Sequence, residues 1–193
     1  MRILVFGAAL RAGSYNRKLA ALAAARFAAL GAEVDHADFR EFESPIYDGD
    51  LEATSGLPPR VRQFNERVKA AGAFAISTPE YNFSVPGSLK NLIDWSSRER
   101  PIVWKGKPGL LLGASPSTIG AQRSLWALRV PLEALGAHLY PDMFSLAQAD
   151  QKLDASGQIT DEKLVKRLSD LTAAFLAFAG ALYSPRNAQK TQR

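Results

Sequence analysis

The sequence predicts an α/β protein, a three-layer α/β/α sandwich around a five-stranded parallel sheet of order 2-1-3-4-5. Three observations lead there. Short apolar runs alternate with longer segments of helical period. No internal repeat and no low-complexity stretch interrupts that alternation. The chain of 193 residues, 47% hydrophobic and 22% charged, suits one well-filled domain.

The elements follow in order. Ile3–Phe6 is an unbroken apolar run and reads as a buried first strand. From Ser14 to Leu30, Leu19, Leu22, Ala23, Phe27 and Leu30 recur at helical spacing, and Gly31 stops the helix. Glu33–Ala37 is the second strand, and Glu41–Pro58 is a connection too long for an ordinary turn. The next helix, Pro59–Ala71, turns Val61, Phe64, Val68 and Ala71 inward, and Ala73–Thr78 is the third strand. Leu89, Leu92, Ile93 and Trp95 read as helix core, with Lys90 and Asp94 spaced for an ion pair. Leu110–Ala114 is the fourth strand. Leu125, Leu128, Leu132 and Leu135 then mark a helix that Pro131 should kink or restart. His138–Pro141 is the fifth strand. In the last helix Leu164, Leu168, Leu171, Phe175, Phe178 and Leu182 share a face, Thr160 stands where a cap is needed, and Asp161-Glu162 suit the N-terminal dipole. The domain therefore spans residues 1–184, and residues 185–193 form a polar, basic tail expected to be disordered. The strand order is that of flavodoxin-like folds.

Composition removes several function classes. Without cysteine there is no disulfide, no thiol catalysis and no cysteine-ligated metal. Only His36 and His138 remain for imidazole chemistry, and each reads as structural. Glu41, Glu43, Asp48, Asp50 and Glu52 read as a solvated acidic loop, and Asp154-Ala155-Ser156-Gly157 as a turn lacking a calcium loop's ligands. Ser14 and Ser115 lack the histidine and carboxylate of a hydrolase triad. Of the net charge of +5, Arg186, Lys190 and Arg193 in the tail carry three, and the remaining +2 is no nucleic-acid footprint. The apolar stretch Leu171–Tyr183 is shorter than the ~20 residues of a membrane span, and the opening run reads as a strand, not a leader. A cytoplasmic location is the expectation.

Ligands of such sheets bind beyond the carboxyl ends of the strands, where the order switches between first and third. Three loops should meet there: Gly7–Asn16, Pro79–Ser88 and Ser115–Arg123. In the first, amides at a helix start favour a phosphate and Arg11 adds a charge-assisted contact, while Ser14 and Asn16 either donate to the phosphate or cap the helix. The loop is neither a dinucleotide nor a Walker fingerprint. In the second, Pro79 and Pro86 stiffen a segment whose amides would face a planar ring, with Tyr81 over one side. Trp95, Trp104 and Trp126 are read first as core or subunit contacts.

The run Pro79-Glu80-Tyr81-Asn82 through Pro86-Gly87-Ser88-Leu89-Lys90-Asn91-Leu92-Ile93-Asp94-Trp95 resembles the signature of the NAD(P)H-dependent FMN reductase family, flavodoxin-like quinone, chromate and azo reductases. Leu10-Arg11-Ala12-Gly13-Ser14-Tyr15-Asn16 is similar to that family's phosphate loop, and weaker similarity extends through Ser44–Asp50, Gly109–Ser115 and Leu153–Glu162. The resemblance implies FMN, with its phosphate on Arg11, Ser14 and Asn16. It places the flavin ring along Pro79, Glu80, Tyr81 and Asn82, largely through backbone amides, and against Ser115. Ala9 stands where the family usually has serine, and Ser115–Arg123 lacks the family's fuller glycine run.

The flavin carries the chemistry in such an enzyme, so no catalytic side chain and no metal is expected. The reading is an FMN-dependent oxidoreductase that takes hydride from NADPH or NADH. Its acceptor is small: a quinone, free flavin, chromate or an azo compound. Arg98, Arg100 and Arg123 are candidates for the group that would select a 2′-phosphate. The resemblance, with Trp95, Trp104 and Phe83 near the loops, implies a homodimer or homotetramer. The alternatives are a flavodoxin-type electron carrier, for which this basic chain lacks the acidic surface, and a non-catalytic flavin-binding protein.

Overall fold

The computed structural model describes residues 1–182; the tail expected over residues 185–193 lies outside them. Strands β1 (Arg2–Gly7), β2 (Glu33–Ala37), β3 (Ala73–Ser77), β4 (Pro108–Ala114), β5 (His138–Leu139) and β6 (Phe144–Leu146) form one sheet, ordered β2-β1-β3-β4-β5 with β6 also on β4. Every pairing is parallel. Parallel sheets need both faces covered, and the alternation along β1 does this. Leu4 and Phe6 point into one core with α3 (Pro59–Ala70), α4 (Gly87–Ser96) and α5 (Gln122–Ala134). Ile3 and Val5 point into the other, with α1 (Tyr15–Ala29) and α7 (Glu162–Leu182). The three layers and the strand order are those expected.

The fifth strand is different. His138–Leu139 pairs with Pro108–Gly109, the chain leaves the ladder near Pro141, and Phe144–Leu146 rejoins β4 at Leu112–Ala114. Proline has no N–H to give to a ladder, so the interruption falls there. The long connection is not irregular throughout. It contains a 3₁₀ turn, Phe39–Phe42, capped reciprocally by Asp38 and Glu41, and a short helix α2, Gly49–Ser55, capped by Asp48. Another short helix, α6 (Ala149–Lys152), precedes the Asp154–Gly157 turn.

Helix α5 runs through Pro131 without restarting. The cap of α7 is Asp161, whose carboxylate accepts from the N–H groups of Lys163 and Leu164; Thr160 is instead tied to Lys152. Trp95 and Trp104 are fully buried, the latter against Phe64 and Phe74 with its indole N–H on Ser96 Oγ at 2.7 Å. Both therefore belong to the core and not to a subunit contact. Among the described residues no helix is long and apolar enough to cross a membrane.

Candidate active site at the carboxyl ends of the strands

Because all strands run the same way, β1, β3 and β4 end on one edge, and the crevice lies where the order reverses between β1 and β3. Gly7 closes β1. A Cβ there would stand 2.6 Å from the Asn16 carbonyl oxygen and 2.8 Å from Arg17 Cα, so only glycine lets α1 start against the strand end.

Asn16, in the first turn of α1, is buried and turned inward. Its amide nitrogen donates to the Ala114 carbonyl at 2.8 Å, and its oxygen accepts from the Ala114 N–H and the Ser77 hydroxyl, both at 2.9 Å. It thus joins the ends of β3 and β4 to the first loop. Ser14 accepts from the Asn16 N–H and caps the helix. Arg11 is exposed, lies 5.6 Å from the Tyr15 ring centre, and has no carboxylate partner among the described residues. The backbone N–H groups of Arg11, Ala12, Gly13 and Tyr15 have no acceptor among those residues either. An unpaired cation and several unpaired amides at one helix start make an anion cradle.

The second loop is a tight hairpin. Tyr81 and Ser84 exchange backbone hydrogen bonds of 3.0 and 3.1 Å around Asn82 and Phe83, whose φ values are 50° and 66°. Two left-handed residues are what such a turn requires. Asparagine tolerates that region, whereas phenylalanine enters it only when held. Arg123 does the holding, with its guanidinium carbon 3.9 Å from the Phe83 ring centre. Pro79 is buried, Tyr81 is exposed, and the Glu80 and Asn82 amides lack acceptors among the described residues.

The third loop is fastened on both sides. Glu80 accepts from the Arg123 N–H and guanidinium, each at 3.0 Å. Gly120 and Ala121 are both left-handed, and a Cβ on Gly120 would stand 2.4 Å from Ser145 Oγ. Ser115 lies at the mouth, sharing a hydroxyl hydrogen bond of 2.7 Å with Ser117. The three loops expected to meet therefore do, and Arg11, Ser14, Asn16, Glu80 and Ser115 all lie on this edge.

The other candidate side chains have partners within the chain. Arg98 is on Glu52, Arg100 on the Ser97 and Glu99 carbonyls, and Arg123 on Glu80. Lys90 pairs with Asp94 at 2.7 Å. His36 is held below its ordinary pKa, first by burial and then by the charge of Arg17. Hollows of about 570 Å³ beside Asp35 and Arg67 and about 370 Å³ beside Asp142 and Arg167 lie away from this edge. Two roles escaped sequence reasoning. Asn91 accepts from the Tyr47 N–H and donates to the Pro45 carbonyl, and the Trp95 indole donates to that same carbonyl at 2.8 Å. These signature residues pin the Ser44–Tyr47 segment beside the site, and their i,i+4 spacing on one helix face was the available signal.

Comparison with known sequences decides the family. The sequence profile of the NADPH-dependent FMN reductases matches residues 1–151. The chain belongs to that family. It is 37% identical over 164 residues to an NAD(P)H-dependent FMN reductase of Pseudomonas aeruginosa, covering 84% of this chain and 86% of that one. Over 175 residues it is 37% identical to an NAD(P)H:quinone oxidoreductase of Solanum tuberosum, covering 88% of each. Among solved structures, the flavoenzyme NAD(P)H:(acceptor) oxidoreductase FerB of Paracoccus denitrificans superposes with a TM-score of 0.80 at 30% identity, covering 93% of this chain and 97% of FerB. An archaeal flavodoxin, at 10% identity and a TM-score of 0.61, shares the fold. As a family member the chain is an FMN-dependent enzyme that uses NAD(P)H. The residues present fit FMN: the first loop offers unpaired donors and a cation to a phosphate, and the second offers two unpaired amides to a ring edge.

Proposed function

We propose that the crevice holds FMN with its phosphate on Arg11 and the amides of Arg11, Ala12, Gly13 and Tyr15. The Ser14 hydroxyl supplements them, and Asn16 acts by fixing the loop to β3 and β4. The ring lies along Pro79, Glu80, Tyr81 and Asn82 and against Ser115. The observation that carries this placement is Arg11, a cation without a carboxylate partner among the described residues, beside a row of unpaired amides. Bound FMN supplies hydride acceptance and electron release, and the protein supplies orientation and shielding. The Glu80–Arg123 link keeps the ring-facing amides in place, and Tyr81, 54% exposed, is free to cover the ring.

The substrate pair is NAD(P)H and a quinone-like acceptor, with free flavin, chromate and azo compounds as further acceptors of the same electrons. We also read the protein as a cytoplasmic homodimer or homotetramer. Anaerobic NADPH should bleach the visible band of the FMN-loaded protein, and a quinone should restore it. Steady-state turnover should give parallel double-reciprocal lines, the pattern of substrates that take turns at one face. FMN that binds but is bleached by neither NADPH nor NADH would select the electron carrier instead.

A further inference from the structure

A cleft of about 410 Å³ lies between α1 and the end of β2, lined by Arg17, Lys18 and Ala21 from the helix and by His36, Ala37 and Asp38 from the strand side. None of Arg11, Ser14 and Asn16 lines it, so it is separate from the cradle proposed for the FMN phosphate. The ladder explains why His36 faces α1. It stands opposite Val5, whose side chain enters the core beneath that helix. Ala21 and Ala37 carry no side chain large enough to fill the space.

The polar groups of the cleft are one-sided. Asp38 is its only carboxylate, and both oxygens are already used. One accepts from the Arg17 guanidinium at 2.7 Å and the other from the Arg40 N–H at 3.0 Å. The groups left over are donors. Arg17 has further guanidinium N–H groups, Lys18 has its whole ammonium, and none of these has an acceptor among the described residues. The Lys18 stem lies against Gly157, where a Cβ would stand 3.3 Å from its Cγ and Cδ, so the turn before α7 steadies it. Neither ring nitrogen of His36 has a hydrogen-bond partner among those residues. Arg17 and Lys18 against Asp38 leave one net positive charge, and a protonated His36 makes it two. Convergent free donors with surplus positive charge select an oxyanion.

We infer that this cleft between α1 and β2 binds a phosphate group, free or at the end of a small organic molecule, through Lys18, Arg17 and His36. Burial and the charges of Arg17 and Arg67 disfavour the imidazolium, and Asp38 and Asp35 act in the opposite sense. An anion in the cleft joins the second group, so binding and protonation of His36 favour each other.

The test is proton NMR of the FMN-loaded protein, with the first-loop cradle filled. The chain has only two histidines, and His138→Gln assigns the Cε1–H resonance of His36. Inorganic phosphate should shift that resonance saturably and raise the titration midpoint of His36, whereas chloride at equal ionic strength should do neither. Lys18→Ala, a partly exposed position, should weaken phosphate binding by about 10-fold with unchanged FMN affinity. Phenyl phosphate is the second probe. Tighter binding than inorganic phosphate would support a ligand with an organic part, and equal binding would support the free ion. A resonance indifferent to both probes, or moved equally by chloride, would overturn the site. Unchanged phosphate affinity in Lys18→Ala would overturn it too. If FMN loading itself shifted His36 and blocked phosphate, the cofactor's own phosphate would occupy this cleft, and there would be no second site.

Discussion

Arg123 and Glu80 join two of the three loops at the strand ends. The Glu80 carboxylate receives the Arg123 backbone N–H on one oxygen and its guanidinium on the other, both at 3.0 Å. A side chain on the turn after β3 is thereby locked to the first turn of α5. Glu80→Gln removes the charge and keeps the shape. Because the arginine is 41% exposed, the pair is screened and worth about 1 kcal/mol. FMN affinity should fall by about 5-fold, read by quenching of flavin fluorescence, with little change in melting temperature.

Arg11→Ala tests the phosphate end. A charge-assisted hydrogen bond is worth ~1.5–3 kcal/mol, so FMN binding should weaken by about 10- to 150-fold. Riboflavin, which has no phosphate, should bind the variant and the wild type alike. Equal losses for the two ligands would put the phosphate elsewhere.

Asn16→Ala should act on stability before it acts on flavin. It strips the acceptor from the Ala114 N–H and the Ser77 hydroxyl, and both residues are buried. Two orphaned donors cost about 2–6 kcal/mol, which urea unfolding would report as a lower midpoint with an unchanged slope. A variant as stable as wild type would show that water replaces the amide.

Two groups on β2 contribute to the response to acid, alongside Asp38, Glu52, Glu99 and Asp154, whose carboxyls are also held below their ordinary values. Burial, then the Arg17 charge, hold His36 below its ordinary value of 6.5. As pH falls below 6.5 the unfolded chain takes up a proton that the folded one resists, so stability declines. For Asp35, burial pushes the pKa up, but the hydrogen bonds and charges of Arg67 and Arg2 outweigh it and leave the pKa below 3.8. Its contribution is present above 3.8 and is lost as pH falls from there through the folded value. Melting temperature against pH should therefore drop in two separate windows. His36→Gln should flatten the upper one, and Asp35→Asn should make the lower one shallower without abolishing it, since other carboxylates share that window.

Much of the site was legible because glycine, proline and the helix start carry their own local chemistry. Arg11, Ser14 and the Pro79–Asn82 turn stand on the crevice edge where the residues alone put them. Asn16 shows the limit. A polar side chain in a first helical turn reads as cap or ligand, and its inward role appears only once Ala114 lies beside it. Helix α2 buries no side chain, so the sequence there carries no apolar period and reads as loop. Strand β6 was missed for its length, three residues after a proline break. The partners of Arg98 and Arg123 were not legible, because ion pairing is set by tertiary neighbours such as Glu52 and Glu80, far away in sequence.

The break in the fifth strand position has a consequence for how the protein behaves at high concentration. That position is one rim of the sheet, and β2 with its charged Glu33 and Asp35 is the other. A rim that leaves the ladder at a proline, and one lined with acids, each offer a poor template for a stranger's backbone. Strand-to-strand stacking, the usual route from crowded solution to fibril, is thus closed at both ends of the sheet. Concentrated samples should stay clear and free of thioflavin-binding material for as long as the fold holds.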